Sequence, residues 1–162
     1  METIESENPD KRTYYVDETG IDKYLHRPNA RSPRGVKVYS KVRGKKFERL
    51  SIVAGKNGDH IAAPMIYSGT ATSTLFEHWF EECFCPEISG NIAVLDNATI
   101  HRKEKLFEIA RRFDVTLLFL PPYSPDLNKI EKFWSWIKDK LRSILPMFDS
   151  LMDAIYYCFQ LN

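Results

Sequence analysis

The hydrophobic pattern changes period several times along the chain. The first twelve residues, METIESENPDKR, show no apolar periodicity and are expected to form a disordered leader. TYYVDETGI (13–21) then gathers Tyr, Val, Thr and Ile into a strand-like run that ends near Gly20. Residues 22–35, with Pro28, Pro33 and Gly35, read as a loop. Two further strand-like runs, FERLSIVAG (47–55) and HIAAPMIYSG (60–69), flank KNGD, and Asn57-Gly58 between them predicts a β-hairpin. From Thr72 the period lengthens. Leu75, Phe76, Trp79, Phe80 and Cys83 recur at three- and four-residue steps, which predicts a helix closed by Pro86 and Gly90. NIAVLDN (91–97) reads as a buried strand running into Asp96, and HRKEKLFEIARRF (101–113) as a helix with Leu106, Ile109, Ala110 and Phe113 on one side. VTLLFL (115–120) is another strand, stopped by Pro121 and Pro122. Beyond it, Ser124 as N-cap, Pro125 at the first helical position and Asp126 in the first turn predict a helix with an apolar stripe of Leu127, Ile130, Trp134, Ile137 and Leu141. A last helix, over about 148–159, carries Leu151, Met152, Ile155 and Phe159.

Three strands followed by helix, strand, helix, strand and two helices imply an α/β fold: a mixed five-stranded sheet covered by helices. A length of 162 residues at 43% hydrophobic content fits one domain, taken as 13–162. No run of 18 apolar residues occurs and the N-terminus lacks a signal-peptide pattern, so the expectation is a cytoplasmic protein with no membrane association. Cys83, Cys85 and Cys158 have no disulfide-framework spacing, which fits a reducing compartment.

Charge changes the picture only when it is divided along the chain. The whole is formally +1, but residues 23–49 hold ten Lys or Arg against the single acid Glu48, leaving −8 elsewhere. Arg27, Arg31, Arg34, Lys37, Lys41, Arg43, Lys45 and Lys46 in that block are candidate contacts to a polyanion. Nucleic acid is the leading partner, and a solvated loop surface is the plain alternative.

Three acids sit where an acid is expensive. Asp17 ends TYYV, Asp96 ends NIAVL, and Glu131 borders the apolar stripe of its helix. Carboxylates gathered in a partly buried site repel one another and raise each other's pKa, an objection that a divalent cation removes. Mg²⁺ takes oxygen ligands and commonly uses one or two carboxylates per ion. Two such ions, with Mn²⁺ as a substitute, suit in-line displacement at a phosphodiester. An acid at a strand end is also a common turn former, so spacing alone leaves both readings open.

The local wording goes further. YYVDETG, VLDNATIH and LLFLPPYSPDLNKIEKFWSWIK resemble the three signature blocks of DDE transposases of the mariner-like superfamily, in the branch found in bacterial insertion sequences. The resemblance covers about residues 13–142, and 34 residues separate Asp96 from Glu131, as in that family's acidic triad. It implies a ribonuclease H-like fold, with Asp17, Asp96 and Glu131 as catalytic residues and metal ligands. It also implies cleavage at transposon ends, strand transfer into target DNA and action as a homodimer, with association to the nucleoid when bound to DNA. Glu18 adjoins the first block, but successive strand residues face opposite ways, so Asp17 and Glu18 are expected to differ in role. Asn97, His101 and Asn128 are candidates to support the ligands, Asn128 from three residues before Glu131 on the same expected helix face. Two departures stand out. Lys129 occupies the place of the family's proline, and only sixteen residues precede Asp17, so a helix-turn-helix part that reads transposon ends is expected to be encoded separately. A ribonuclease H-like nuclease that only hydrolyses, and a non-catalytic DNA-binding derivative, remain as alternatives. His78, Cys83 and Cys85 match no standard zinc spacing. Trp134 reads as core and Trp136 as exposed, and no glycine-rich phosphate loop is present.

Overall fold

The computed structural model describes residues 9–23, 49–122 and 124–160. The eight basic candidates from Arg27 to Lys46 lie outside the described residues. So do residues 1–8 of the expected leader. Its last residue is already anchored, because the Arg12 backbone N–H donates to Asn91 Oδ1 at 2.8 Å and its carbonyl accepts from the Ile92 N–H at 2.9 Å.

Five strands form one mixed sheet in the order β3-β2-β1-β4-β5. β1 (Thr13–Asp22), β2 (Arg49–Asn57) and β3 (His60–Ser68) pair antiparallel, whereas β4 (Ile92–Leu95) and β5 (Thr116–Phe119) continue the sheet in parallel on the other side of β1. Asn57 pairs with His60, so the hairpin turn consists of Gly58 and Asp59, one residue beyond the predicted pair. Gly58 supplies the positive φ (53°) that the turn needs.

Alternation along β1 decides which residue meets which layer. Tyr15, Ile21 and, across the sheet, Ile52, Ile92 and Val94 pack with Ile130, which precedes α4 (Glu131–Ile144), with Trp134, Ile137 and Leu141 of that helix, and with Ile155 of α5 (Leu151–Gln160). Tyr14, Val16 and Val53 pack the opposite way. Their partners come from α1 (Ser73–Trp79), a π-helical turn (Phe80–Phe84), α2 (Cys85–Glu87) and α3 (Lys103–Arg112).

Two local expectations are corrected. The helix opened by Thr72, whose side chain accepts from the Leu75 N–H at 3.2 Å, runs through Pro86. Its π turn widens the ladder just ahead of the proline, with the Cys85 N–H donating to Phe80 O. A proline interrupts the ordinary i→i−4 ladder, and the wide turn accommodates it. That extra residue shifts the apolar register: Phe84 and Cys85 are buried, and Cys83 is exposed. The second correction concerns the segment after β5. Ser124 does not cap an α-helix. Its hydroxyl donates to Pro122 O at 3.4 Å, residues Pro125–Leu127 form a 3-10 turn, and α4 begins at Glu131. Leu127 is exposed and leaves the stripe, while Ile130, Trp134, Ile137 and Leu141 remain buried. Trp136 is exposed as expected and stacks on Phe133, with centroids 6.0 Å apart.

Gly55 lets the π turn approach the sheet. A Cβ there lies 2.2 Å from Phe84 Cε2, a ring with no solvent exposure and little room to yield. Gly55→Ala is therefore expected to lower the unfolding free energy by about 1–3 kcal/mol, as overpacked cores do. Urea unfolding measures it, and an unchanged midpoint shows that the contact is loose.

Candidate active site

β1 is the point where the sheet reverses its direction of growth. In open α/β sheets the crevice at the strand ends beside such a point is where ligands bind. Tyr15 pairs with Val94, and continuing that parallel register two residues along each strand sets Asp17 level with Asp96. A cleft of about 420 Å³ opens there. Asp17, Asp96 and Glu131 all line it, with Asn97, Asn128 and the Leu120-Pro121-Pro122 stretch. The structure thus brings together three acids separated widely in sequence. Among the described residues, no three His, Cys, Asp or Glu side chains are drawn close enough, as placed, to form a closed metal-binding group.

The three carboxyl groups have different surroundings. Asp17 is half-buried in the central strand, beside Val16 and Trp134. Desolvation pushes its pKa from 3.8 to about 7, with the Glu131 and Asp96 charges adding to the rise. The backbone N–H of Glu18 and the Trp134 indole oppose the shift; Trp134 Nε1 donates to Asp17 Oδ2 at 3.2 Å. Asp96 is driven the opposite way. His101 Nδ1 lies 3.2 Å from both Asp96 Oδ1 and its carbonyl oxygen, and the Ala98 N–H donates to Oδ1 at 3.2 Å. The histidine bond, ahead of its charge and the backbone bond, holds Asp96 below the usual carboxylate range despite desolvation. Glu131 is exposed at the first position of α4, where the helix dipole favours negative charge.

His101 therefore contacts Asp96 directly. Its side chain is only 6% exposed and its ring packs on Phe76, with centroids 4.4 Å apart. The next residue continues the support: Arg102 makes a two-pronged bond to buried Glu77 of α1, with both contacts at 2.6 Å. Nothing in the local sequence marked Glu77. It appears in the pattern only as an acid between Phe76 and Trp79, and its partner lies 25 residues away.

Asn128 is placed differently from the expectation. It precedes α4 instead of sharing its face, and its side-chain amide donates to Val16 O at 3.4 Å, beside Asp17. Its backbone carbonyl accepts from the Glu131 N–H at 3.2 Å. Asn128 Oδ1 is buried without a protein partner among the described residues. Asn97 lines the cleft as expected. Trp134, read from sequence as core alone, is both core and hydrogen-bond donor to Asp17. The spacing of three residues from Glu131 was the available signal. Lys129 is exposed, with its ammonium 5.1 Å from the centroid of Tyr15. Glu18 points away from Asp17, into a separate groove.

The residues fit a hard divalent cation by the chemistry of their donors. The cleft offers carboxylate and amide oxygens, including an orphaned Asn128 Oδ1 and a desolvated Asp17 that a positive charge would stabilise as carboxylate.

Comparison with known proteins decides the family. The profile described as DDE superfamily endonuclease matches residues 12–153. The chain belongs to the DDE endonuclease superfamily. Among curated proteins, one described as "Uncharacterized protein y4pE/y4sA", from Sinorhizobium fredii, is 34% identical over 67 residues, covering 41% of this chain and 47% of that protein. Among solved structures, this DDE chain resembles the Mos1 transposase paired-end complex with left transposon end (TM-score 0.68, 15% identity, 99% of this chain and 51% of that one). It also resembles the Mos1 strand transfer complex (TM-score 0.62, 16% identity, 98% and 50%). A third likeness is to a simian T-cell lymphotropic virus intasome bound to PP2A regulatory subunit B56 gamma (TM-score 0.58, 12% identity, 92% and 47%). These likenesses show the ribonuclease H-like fold of the DDE domain. The chain spans about half the length of the proteins it matches.

The opposite shifts at Asp17 and Asp96 make a signed prediction. A raised folded pKa means that Asp17 contributes its stability fully below its unfolded value of 3.8 and loses it as pH rises through about 7. Asp96, held low, contributes above the ordinary carboxylate range and loses its contribution as pH falls. In metal-free buffer, Asp17→Asn is expected to be more stable than the wild type above pH 7, by about 1–2 kcal/mol after discounting for partial exposure. The difference should close by pH 4. Denaturant unfolding across pH checks this, and a gap independent of pH shows that burial is not acting on Asp17.

Proposed function

We propose that this chain is the catalytic domain of a DNA transposase, a metal-dependent polynucleotidyl transferase that cleaves transposon ends and joins them to target DNA. The observation that carries the reading is the shared cleft of Asp17, Asp96 and Glu131 in a chain of the DDE endonuclease superfamily. Solved relatives include Mos1 paired-end complexes with Mg and with Mn, which supports the choice of cation.

Bound Mg²⁺ ions supply Lewis acidity and a more acidic attacking oxygen, and Mn²⁺ serves the same chemistry. The chain's own residues do the remaining work. Asp17 of β1 and Asp96 just beyond β4 would hold the ions, and Glu131 would complete the set from the start of α4. His101 and the Ala98 N–H keep Asp96 charged and aimed. Trp134 fixes the rotamer of Asp17 from behind. Asn128 ties the turn that carries Glu131 to β1. Asn97, which lines the same cleft, would support the ligands from the loop after β4. In this reading water would displace the 3′-oxygen of the transposon end from its phosphodiester, and that freed 3′-hydroxyl would in turn displace a 3′-oxygen from a phosphodiester of the target strand.

Phosphate contacts fall to the basic residues from Arg27 to Lys46, which position a strand without reading its sequence. A homodimer acting on paired ends completes the proposal. The described residues contain no helix long and apolar enough to cross a membrane, which suits a protein acting on DNA in the cytoplasm.

Glu131→Gln is expected to reduce Mg²⁺-dependent cutting of a labelled duplex by at least two orders of magnitude, as loss of a metal-held charge does at such centres. Circular dichroism and salt-sensitive DNA binding should be retained. Cutting at the wild-type rate by this variant removes Glu131 from the mechanism. Mg²⁺ is also expected to raise the wild-type Tm, and to raise that of Asp17→Asn much less. Supplying water and a 3′-hydroxyl donor together separates transfer from hydrolysis, because only a transferase yields joined strands.

A further inference from the structure

A second groove opens on the far side of β1. It measures about 930 Å³ and is walled by Glu18, Thr19, Arg49, Ser51, Tyr67 and Thr70. Ala98 lines both this groove and the carboxylate cleft, so the two meet at the loop that follows β4. Alternation along β1 produces the pair: Asp17 faces one hollow and Glu18 the other.

The wall carries one cation and one anion among its described residues. Arg49 holds an exposed guanidinium, 3.8 Å from Asp22 in a long ion pair that leaves it available to a phosphate. Glu18 is the surprising member, because an acid beside a polyanion's path is repelled by every phosphate. It is nevertheless fixed. The Tyr67 hydroxyl donates to it, and Ser51 beside Tyr67 donates its Oγ–H to Gly69 O at 2.9 Å. One donor leaves most of the carboxylate's accepting capacity directed to the groove.

The DNA backbone cannot satisfy that capacity, since phosphates and sugar-ring oxygens only accept. Donors on duplex DNA sit on base edges. In the major groove these are the N6 amino group of adenine and the N4 amino group of cytosine, whereas guanine O6 and thymine O4 occupy the comparable places as acceptors. A carboxylate there attracts the first pair and repels the second, which is discrimination by attraction and repulsion together.

We propose that this groove receives the base pair flanking the scissile phosphate, and that Glu18 reads it by accepting a hydrogen bond from an adenine or cytosine amino group. Arg49 holds the adjoining phosphate. The inference rests on the DNA-cleaving reading of the carboxylate cleft and deepens it by naming a sequence preference.

The test uses the full chain with Mg²⁺ on duplexes that differ only at the flanking base pair. The wild type is expected to cut those presenting adenine or cytosine on one strand about 10-fold or more faster than those presenting guanine or thymine, the scale of one lost base contact. Replacing that adenine by purine nucleoside, which lacks only the amino group, should reproduce the loss. Glu18→Ala should level all of these substrates to within about two-fold while still cutting. Glu18→Gln, which keeps the shape and the bond to Tyr67, should cut keto-bearing flanks as well as amino-bearing ones. A preference unchanged in Glu18→Gln, or wild-type cutting indifferent to the amino group, overturns the base reading and leaves the cleavage reading standing. Absence of metal-dependent cutting by the wild type on every duplex removes both.

Discussion

A carboxyl group is held inside the central strand of a sheet, against an indole ring, and most of the site follows from what that costs. Asp17 cannot turn outward, because strand alternation commits it to the face covered by α4 and Trp134. Part of its hydration is lost, so the charged form relies on one backbone bond and one indole bond. Two further acids at the same opening worsen the problem. Positive charge brought to this opening would relieve that cost, as would a proton on Asp17.

The other two acids are treated differently, and the difference is structural. Asp96 stands just beyond β4, where a histidine and a backbone N–H keep it charged. Behind that histidine stand Phe76 and, one residue on, the Glu77–Arg102 pair, both rooted in α1. Glu131 opens its helix in contact with solvent. One acid is thus desolvated, one buttressed, and one exposed. The opposite layer of the sheet serves this plan through the close seat of Phe84 on Gly55, which fixes the π turn and with it the start of the α1 support.

Much of this was legible in the sequence. Element order, both layers of the sheet and the three acids followed from period changes and from the wording around residues 17, 96 and 131. What sequence missed shares one cause: a single residue that alters register, or a contact made across the fold. The π turn moved Cys83 out and Phe84 in, although the spacing of Phe76, Trp79 and Phe80 fitted a plain helix. The 3-10 turn at Pro125–Leu127 satisfied the same capping letters that announce an α-helix, so α4 started later than read. Asn128 then fell in a turn, where its partner is Val16 of β1, 112 residues distant. Glu77 and Arg102 carried no mark in the sequence, since nothing local reveals that one of them is buried.

The bond between Trp134 and Asp17 spans 117 residues. During synthesis the β1–β3 hairpin strands emerge early and can pair locally, whereas β1 must await β4 for its parallel neighbour and α4 for its cover. The first acid is therefore made early, but its pocket closes only when nearly the whole domain has left the ribosome. A nascent chain that stops short of α4 therefore carries two of the three acids and no assembled cleft.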